Sequence, residues 1–132
     1  VNGFIVELEN RPGELARLSE AIAGKGINLT SVSATTAGDR GAVALMTNDE
    51  AGTRAALRDG NFSFREIEAV PVSLEDRPGA LAEVARRLAN SGVNIEALLV
   101  TALGGGKVSI ALLTADPART RSLVGATTPT GA

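Results

Sequence analysis

The chain has 132 residues, of which 44% are hydrophobic and 21% charged, with a formal net charge of −2. That length holds one ordinary domain or two very small ones, and the balance is that of a globular chain rather than a disordered one. With no cysteine and no histidine, disulfides, thiolate metal sites and the commonest acid–base side chain are excluded.

Aromatic side chains are scarce: three Phe, no Tyr and no Trp. The core must therefore be built from Val, Ile, Leu and Ala. Neither a basic patch nor stacking aromatics are present, so nucleic acid is not an expected partner. No apolar run approaches the roughly 18–20 residues of a membrane span, and no signal-like start is seen. The expectation is a soluble, cytoplasmic protein with no membrane association. A small polar stretch, Gly125 to Ala132, reads as a tail.

The first predicted element is a strand. Phe4, Val6 and Leu8 alternate with Ile5 and Glu7, the period of two that a half-buried strand requires. A turn, Asn10-Arg11-Pro12-Gly13, follows. Leu15, Leu18 and Ile22 then recur at helical spacing, and Pro12 suits a first helical turn. Glycines at 24 and 26 end that helix. A strand from Ile27 to about Thr35, a Gly-rich turn at 38–41 and a second strand make a hairpin. A second helix begins at Asp49, and a fourth strand runs from Phe62 to about Ile67.

The chain then repeats itself. Leu8 to Leu29 reads LENRPGELARLSEAIAGKGINL, and Leu74 to Ile95 reads LEDRPGALAEVARRLANSGVNI. A shift of 66 with no gap gives ten identities in 22 positions, where composition alone gives roughly two. With a shift of 67, Val43 to Thr47 faces Ile110 to Thr114. A period this long is no solenoid repeat; it is two copies of one small domain, 1–68 and 69–132. Copy two shows the matching strand at Val70, Val72 and Leu74, a helix with Leu81, Val84 and Leu88, and a strand from Val93 to about Leu103. A turn at Gly104 to Gly106 and a helix capped by Asp116-Pro117 follow. The order β-α-β-β-α-β is the ferredoxin-like plan, an α+β fold with an antiparallel sheet and helices on one face. In copy two the last strand is weak or missing: only Val124 to Thr128 could form it.

The turn residues carry the chemistry. A helix start presents unpaired N–H groups and the positive dipole end, which suits a carboxylate. Gly13 and Gly79 lack a Cβ and permit close approach. Asn10 and Asp76 offer oxygens to an ammonium group. Together these features match a zwitterionic amino acid. The structural alternative is that Asn10 and Asp76 simply cap the helix. Asn28 and Asn94, in Gly26-Ile27-Asn28 and Gly92-Val93-Asn94, can bind a carboxylate or cap a turn equally well. Gly104-Gly105-Gly106-Lys107 is a hairpin turn rather than a phosphate loop. Arg86-Arg87 and the run from Arg54 to Arg58 read as solvated helix faces.

Both copies of the turn–helix–Gly-x-Asn segment resemble the opening half of the ACT domain, and the resemblance runs from Phe4 to Val124. It implies a regulatory module that binds a free amino acid at a domain interface. Such domains pair with their sheets side by side, so a homodimer is implied. The implied contacts are Asn10 and Asn28 in copy one and Asp76 and Asn94 in copy two. Backbone near Gly13, Leu15, Gly79 and Leu81 would line the site. Some serine-binding members carry a His two residues before the loop Asn; Leu8 and Leu74 stand there, which suggests a more apolar ligand. The regulated metabolic enzyme is expected to be a separate polypeptide. No catalytic residue, metal or cofactor is expected. The alternative function is a protein–protein interaction or dimerisation module without a small ligand.

Overall fold

The computed structural model describes residues 1–125. The chain divides into two compact units, Val1–Glu66 and Ile67–Ala132. The first contains β1 (Asn2–Glu9), α1 (Glu14–Ala23), β2 (Leu29–Ala37), β3 (Arg40–Thr47), α2 (Glu50–Asp59) and most of β4 (Ser63–Glu68), whose last two residues cross into the second. The second contains β5 (Val70–Glu75), α3 (Ala80–Asn90), β6 (Ile95–Gly104), β7 (Lys107–Thr114) and α4 (Pro117–Val124).

In the first unit the sheet order is β2-β3-β1-β4. Strand β3 runs antiparallel to both β1 and β2. This is the split βαβ arrangement of the ferredoxin-like plan. One face of the sheet supplies Phe4, Val6, Leu8, Val43 and Leu45, packed against Leu18 and Ile22 of α1 and Leu57 of α2. The two helices therefore lie on one face, as the 3.6-residue spacing required. Leu15 does not join them: it is 48% exposed, and its counterpart Leu81 is 46% exposed.

The second unit repeats the plan with three strands among the described residues, in the order β5-β7-β6. Its core joins Val70, Val72, Ile110 and Leu112 to Val84 and Leu88 of α3. Pro71 lies in β5, an edge strand of the described sheet, the position in a sheet where proline is tolerated. Val124 closes α4 rather than opening a strand. The remainder of that weak strand and of the expected tail lies outside the described residues.

Several local expectations shift by one or two residues. The second strand of each copy starts at Leu29 and Ile95, not at Ile27 and Val93. Ile27 and Val93 are instead buried beneath the loops that lead into those strands. Pro12 sits in the turn before α1, not in its first turn. Arg54 is no solvated residue: its guanidinium forks onto Glu66, Nε to Oε1 at 2.6 Å and NH2 to Oε2 at 2.7 Å. Asn2 Nδ2 donates to the same carboxylate at 2.8 Å. These bonds hold the start of β1, the middle of α2 and β4 together.

A buried threonine pair recurs in both units. Thr47 and Thr53 place their hydroxyls 2.7 Å apart, and Thr53 Oγ1 donates to the Asp49 carbonyl at 2.7 Å. Thr114 and Thr120 repeat the pair at 2.7 Å, with Thr120 donating to the Asp116 carbonyl at 2.8 Å. The pair ties the end of β3 or β7 to the helix that follows. Replacing Thr53 with Val keeps the shape and removes the bridging hydroxyl, leaving buried acceptors short of a donor. The expected cost is about 1–3 kcal/mol, read from urea denaturation. Thr120→Val should cost a similar amount, and no loss for either variant would show the pair to be ornamental.

The Glu66 carboxyl lies below its ordinary value of 4.5, chiefly because Arg54 hydrogen-bonds its charged form. A carboxyl lowered in the folded state stabilises the fold fully above its unfolded value, and that contribution disappears as the pH falls through the folded value. The melting temperature should therefore drop as pH falls below about 4.5. Glu66→Gln should melt lower at neutral pH and show a flatter acid limb. An unchanged acid limb in that variant would assign the acid sensitivity elsewhere.

Candidate functional site

The two units present the same cleft in the same place. Each lies where the first strand of the unit turns into its first helix, beside the edge strand. In the first unit Leu8, Glu9, Asn10, Arg11, Glu14 and Leu15 face Ala34, Thr35 and Thr36 of β2 across a cleft of about 270 Å³. In the second, Leu74, Glu75, Asp76, Arg77, Ala80 and Leu81 face Leu98 and Val100 of β6 across about 220 Å³. Both are smaller than the roughly 300–1,000 Å³ of drug-sized pockets, a scale suited to a small metabolite.

Gly13 and Gly79 make the turn into the helix. Each is the N-cap residue, in the left-handed region at φ 92° and 87°. Such a conformation favours glycine, and nothing lies within 4 Å of where a Cβ at Gly13 would stand. Neither helix receives a side-chain cap. The capping role considered for Asn10 and Asp76 is thus not what they do. Asn10 Nδ2 donates to the Gly38 carbonyl at 2.9 Å, which pins the strand–helix turn to the β2–β3 turn. The Asp76 N–H donates to the Gly106 carbonyl at 2.9 Å, and its carboxylate has no partner among the described residues.

The other two helices behave differently. Asp49 Oδ1 accepts from Gly52 N–H at 2.9 Å, and Asp116 Oδ1 accepts from Arg119 N–H at 3.1 Å. Helices α2 and α4 are therefore closed by their own carboxylates, whereas α1 and α3 start open. The first helical amides, Glu14 and Ala80, reach the Arg11 and Arg77 carbonyls only at 3.4 Å. The next two in each helix, Leu15 and Ala16 or Leu81 and Ala82, have no acceptor among the described residues. Those N–H groups and the dipole behind them are free for an anion.

Charged groups around the clefts were not singled out by sequence reasoning. Glu14 is buried, 7% exposed, although it begins the helix. Arg17 Nε and NH2 grip its carboxylate at 3.2 and 3.3 Å, and Arg11 stands 3.6 Å away. The Arg17 hydrogen bond holds the Glu14 carboxyl below the ordinary range against the opposing effect of burial. Arg17 is itself laid over the Phe62 ring, 4.1 Å from its centroid. The signal was visible in the repeat: Glu14 faces Ala80 within an otherwise well-matched segment.

Asn28 and Asn94 are not at these clefts. Asn10 follows Glu9, which pairs with Arg40, whereas Leu29, next to Asn28, pairs with Thr47. Seven residues of β3 separate those ends, roughly 23 Å at strand rise. In the second unit Glu75 pairs with Lys107 and Ile95 with Thr114, giving the same separation. Asn28 N–H donates to Asn48 Oδ1 at 3.1 Å, and Asn94 Nδ2 donates to Glu96 Oε2 at 2.9 Å. Both are turn residues at the far end of their unit. The described residues hold no group of three or more acidic side chains placed to bind a metal ion.

The ACT domain family model matches residues 4–59 and 69–126. No curated protein matches the sequence. Among solved structures, a Bacteroides thetaiotaomicron protein is 24% identical, with TM-score 0.75 over 95% of this chain and 86% of that one. The regulatory subunit of aspartate kinase from Thermus thermophilus is 18% identical, with TM-score 0.59 over 94% and 89%. Aspartate kinase from Clostridium acetobutylicum, described as an allosteric enzyme, is 9% identical, with TM-score 0.61 over 93% of this chain but 31% of that one. These likenesses share the fold, and no helix among the described residues is long and apolar enough to cross a membrane. With two matched segments that together take in most of its length, the chain belongs to the ACT domain family, as a tandem pair of these regulatory domains.

Proposed function

We propose that this chain is a non-catalytic regulatory sensor that binds a free α-amino acid. Its two domains, 1–68 and 69–132, each carry one candidate cleft. The observation that carries this reading is the contrast among the four helices: two are closed by their own Asp, and the two facing the clefts begin with unclaimed N–H groups. Beside those groups stand Asn10 or Asp76. A ligand carboxylate would take the amides of Leu15 or Leu81 and their neighbours, approaching over Gly13 or Gly79. Its ammonium group would face Asn10 or Asp76. The side chains of Leu15 and Leu81, half exposed above the cleft, would cover an apolar substituent.

The titles of two structural neighbours, an aspartate kinase regulatory subunit and an allosteric aspartate kinase, support a role in amino-acid metabolism. In the homodimer implied by the family, a partner chain would close the cleft. Asn28 and Asn94 would reach a ligand only from such a partner. Ligand binding transmits a signal only when it favours one arrangement of domains over another.

A melting screen of the full chain against the twenty amino acids tests this reading. One or a few should raise the melting temperature, since a ligand at 100 times its Kd adds about 2.7 kcal/mol. The double variant Asn10→Ala/Asp76→Ala should fold normally and respond to none. A flat screen of the native chain would overturn amino-acid sensing. It would favour the interaction module instead, for which the largely exposed edge strand β2 is the supporting observation.

A further inference from the structure

We propose that Pro71 is a gatekeeper: it removes an outward-facing N–H from β5 and so keeps that edge of the second unit from taking up an extended strand of a second copy of this chain. The inference concerns backbone hydrogen bonding and stands apart from the amino-acid reading above.

The direction of each backbone group in β5 follows from one bond. The Asp76 N–H donates to the Gly106 carbonyl at 2.9 Å. The register then runs without a shift from Glu75 opposite Lys107 to Val70 opposite Leu112. In an antiparallel ladder, hydrogen-bonded and non-hydrogen-bonded pairs alternate. Asp76 and Gly106 form a hydrogen-bonded pair, so Leu74, Val72 and Val70 also turn their backbone groups toward β7. Pro71, Ser73 and Glu75 turn theirs away from it. Pro71 therefore breaks no bond to β7. It withholds one of the three donors that these outward positions would otherwise offer to an arriving strand.

The first unit shows what that side of the strand is for. The Asn10 N–H donates to the Asp39 carbonyl at 2.9 Å, and the register continues from Glu9 opposite Arg40 to Phe4 opposite Leu45. The same rule turns Ile5 and Glu7 away from β3, toward the side where β4 lies. Pro71 is the counterpart of Ile5 at the repeat shift of 66. A position that offers a donor to the fourth strand in one unit has none in the other, whose described sheet ends at β5. Among the described residues, Pro71 is the one proline inside a strand.

The segment it interrupts is prone to association. Ala69 to Leu74 reads AVPVSL and carries no charge. With Ile in place of the proline, it would be an uncharged, β-branched run of six residues on a sheet edge. That is the composition of segments that pair strand to strand between molecules, and a proline is one of the devices that prevents it.

Residue-resolved hydrogen exchange of the full chain tests the geometry first. The Val72 and Leu74 amides should be protected, and the Ser73 amide should exchange about tenfold faster or more. A Ser73 amide protected as well as Val72 would mean that a strand already lies on this edge, and would overturn the proposal. Pro71→Ile puts the first unit's residue in place. It should raise the mass measured by sedimentation to about twice that of the native chain or more at equal concentration, with Ser73 becoming protected. The double variant Pro71→Ile/Ser73→Pro restores a proline at the next outward position and should return to the native mass. An unchanged mass in Pro71→Ile would overturn the gatekeeper role. So would a double variant that stays associated, because the isoleucine side chain rather than the backbone edge would then drive association. An associated Pro71→Ile species that melts below the native chain would be clustering of unfolded chain, and would also count against it. None of these outcomes bears on amino-acid sensing, which the melting screen tests separately.

Discussion

Each unit turns on a single backbone constraint, the reversal from its first strand into its first helix. The chain leaves the sheet and must lay a helix back across it within four residues. It does so through a glycine near φ +90°, at Gly13 and again at Gly79. That glycine occupies the N-cap position, where Ser, Thr, Asp or Asn would ordinarily close the helix. A capping residue takes up extended backbone at this point, as Asp49 does at φ −149°, and extended backbone would not make this turn. The handedness of the turn therefore leaves the helix open. Unclaimed amides at α1 and α3 follow from chain geometry, and the cleft forms around them.

With Gly at the N-cap, the missing side-chain cap costs about a few tenths of a kcal/mol, which α1 and α3 more than recover through packing. Leu18 and Ile22 in α1, like Val84 and Leu88 in α3, are buried against the sheet, each contributing on the scale of about 2–5 kcal/mol if truncated to Ala. The threonine pairs and the Asp caps sit at the end of β3 and β7 remote from the cleft. These buried hydroxyl bonds mark the end of each unit remote from the cleft. The other end keeps exposed backbone donors, half-exposed leucines and an edge strand. That division lets the cleft end vary without unfolding the unit.

Much of this was legible in the sequence, and what was missed has a physical explanation. The repeat, the alternating strands, the Gly-rich hairpin turns and the Asp116-Pro117 helix start all follow from local rules, and the structure has them. The family resemblance groups Asn28 and Asn94 with Asn10 and Asp76 as ligand contacts, a grouping that concerns paired domains rather than one unit. In the split βαβ plan, the first helix of each unit carries the chain back along the sheet, so its two ends lie at opposite ends of the unit. Periodicity placed Leu15 and Leu81 with the core residues of their helices, but the buried stripe runs through Glu14, Leu18 and Ile22 and through Ala80, Val84 and Leu88, and the two leucines lie one residue off it. Thr53 and Thr120 stand at the same shift as the matched strands. A threonine in a helix, however, announces a buried bond only once its partner on the strand is in place.

The repeat also shows how two copies of one fold can part in chemistry while keeping their shape. Between the loop position and the first helical position, copy one carries Asn10 and Glu14, and copy two carries Asp76 and Ala80. Each pair holds one acid, so the formal charge is conserved and only its location changes. In copy one the acid lies on the helix, where the dipole and Arg17 retain it. In copy two it lies on the loop, where no cation among the described residues pairs with it. Neither position belongs to the hydrophobic cluster of its unit, so the exchange leaves the packing of strand against helix intact. Because a charge can move four residues along this turn without disturbing the core, the turn rather than the core is where the two domains are free to differ.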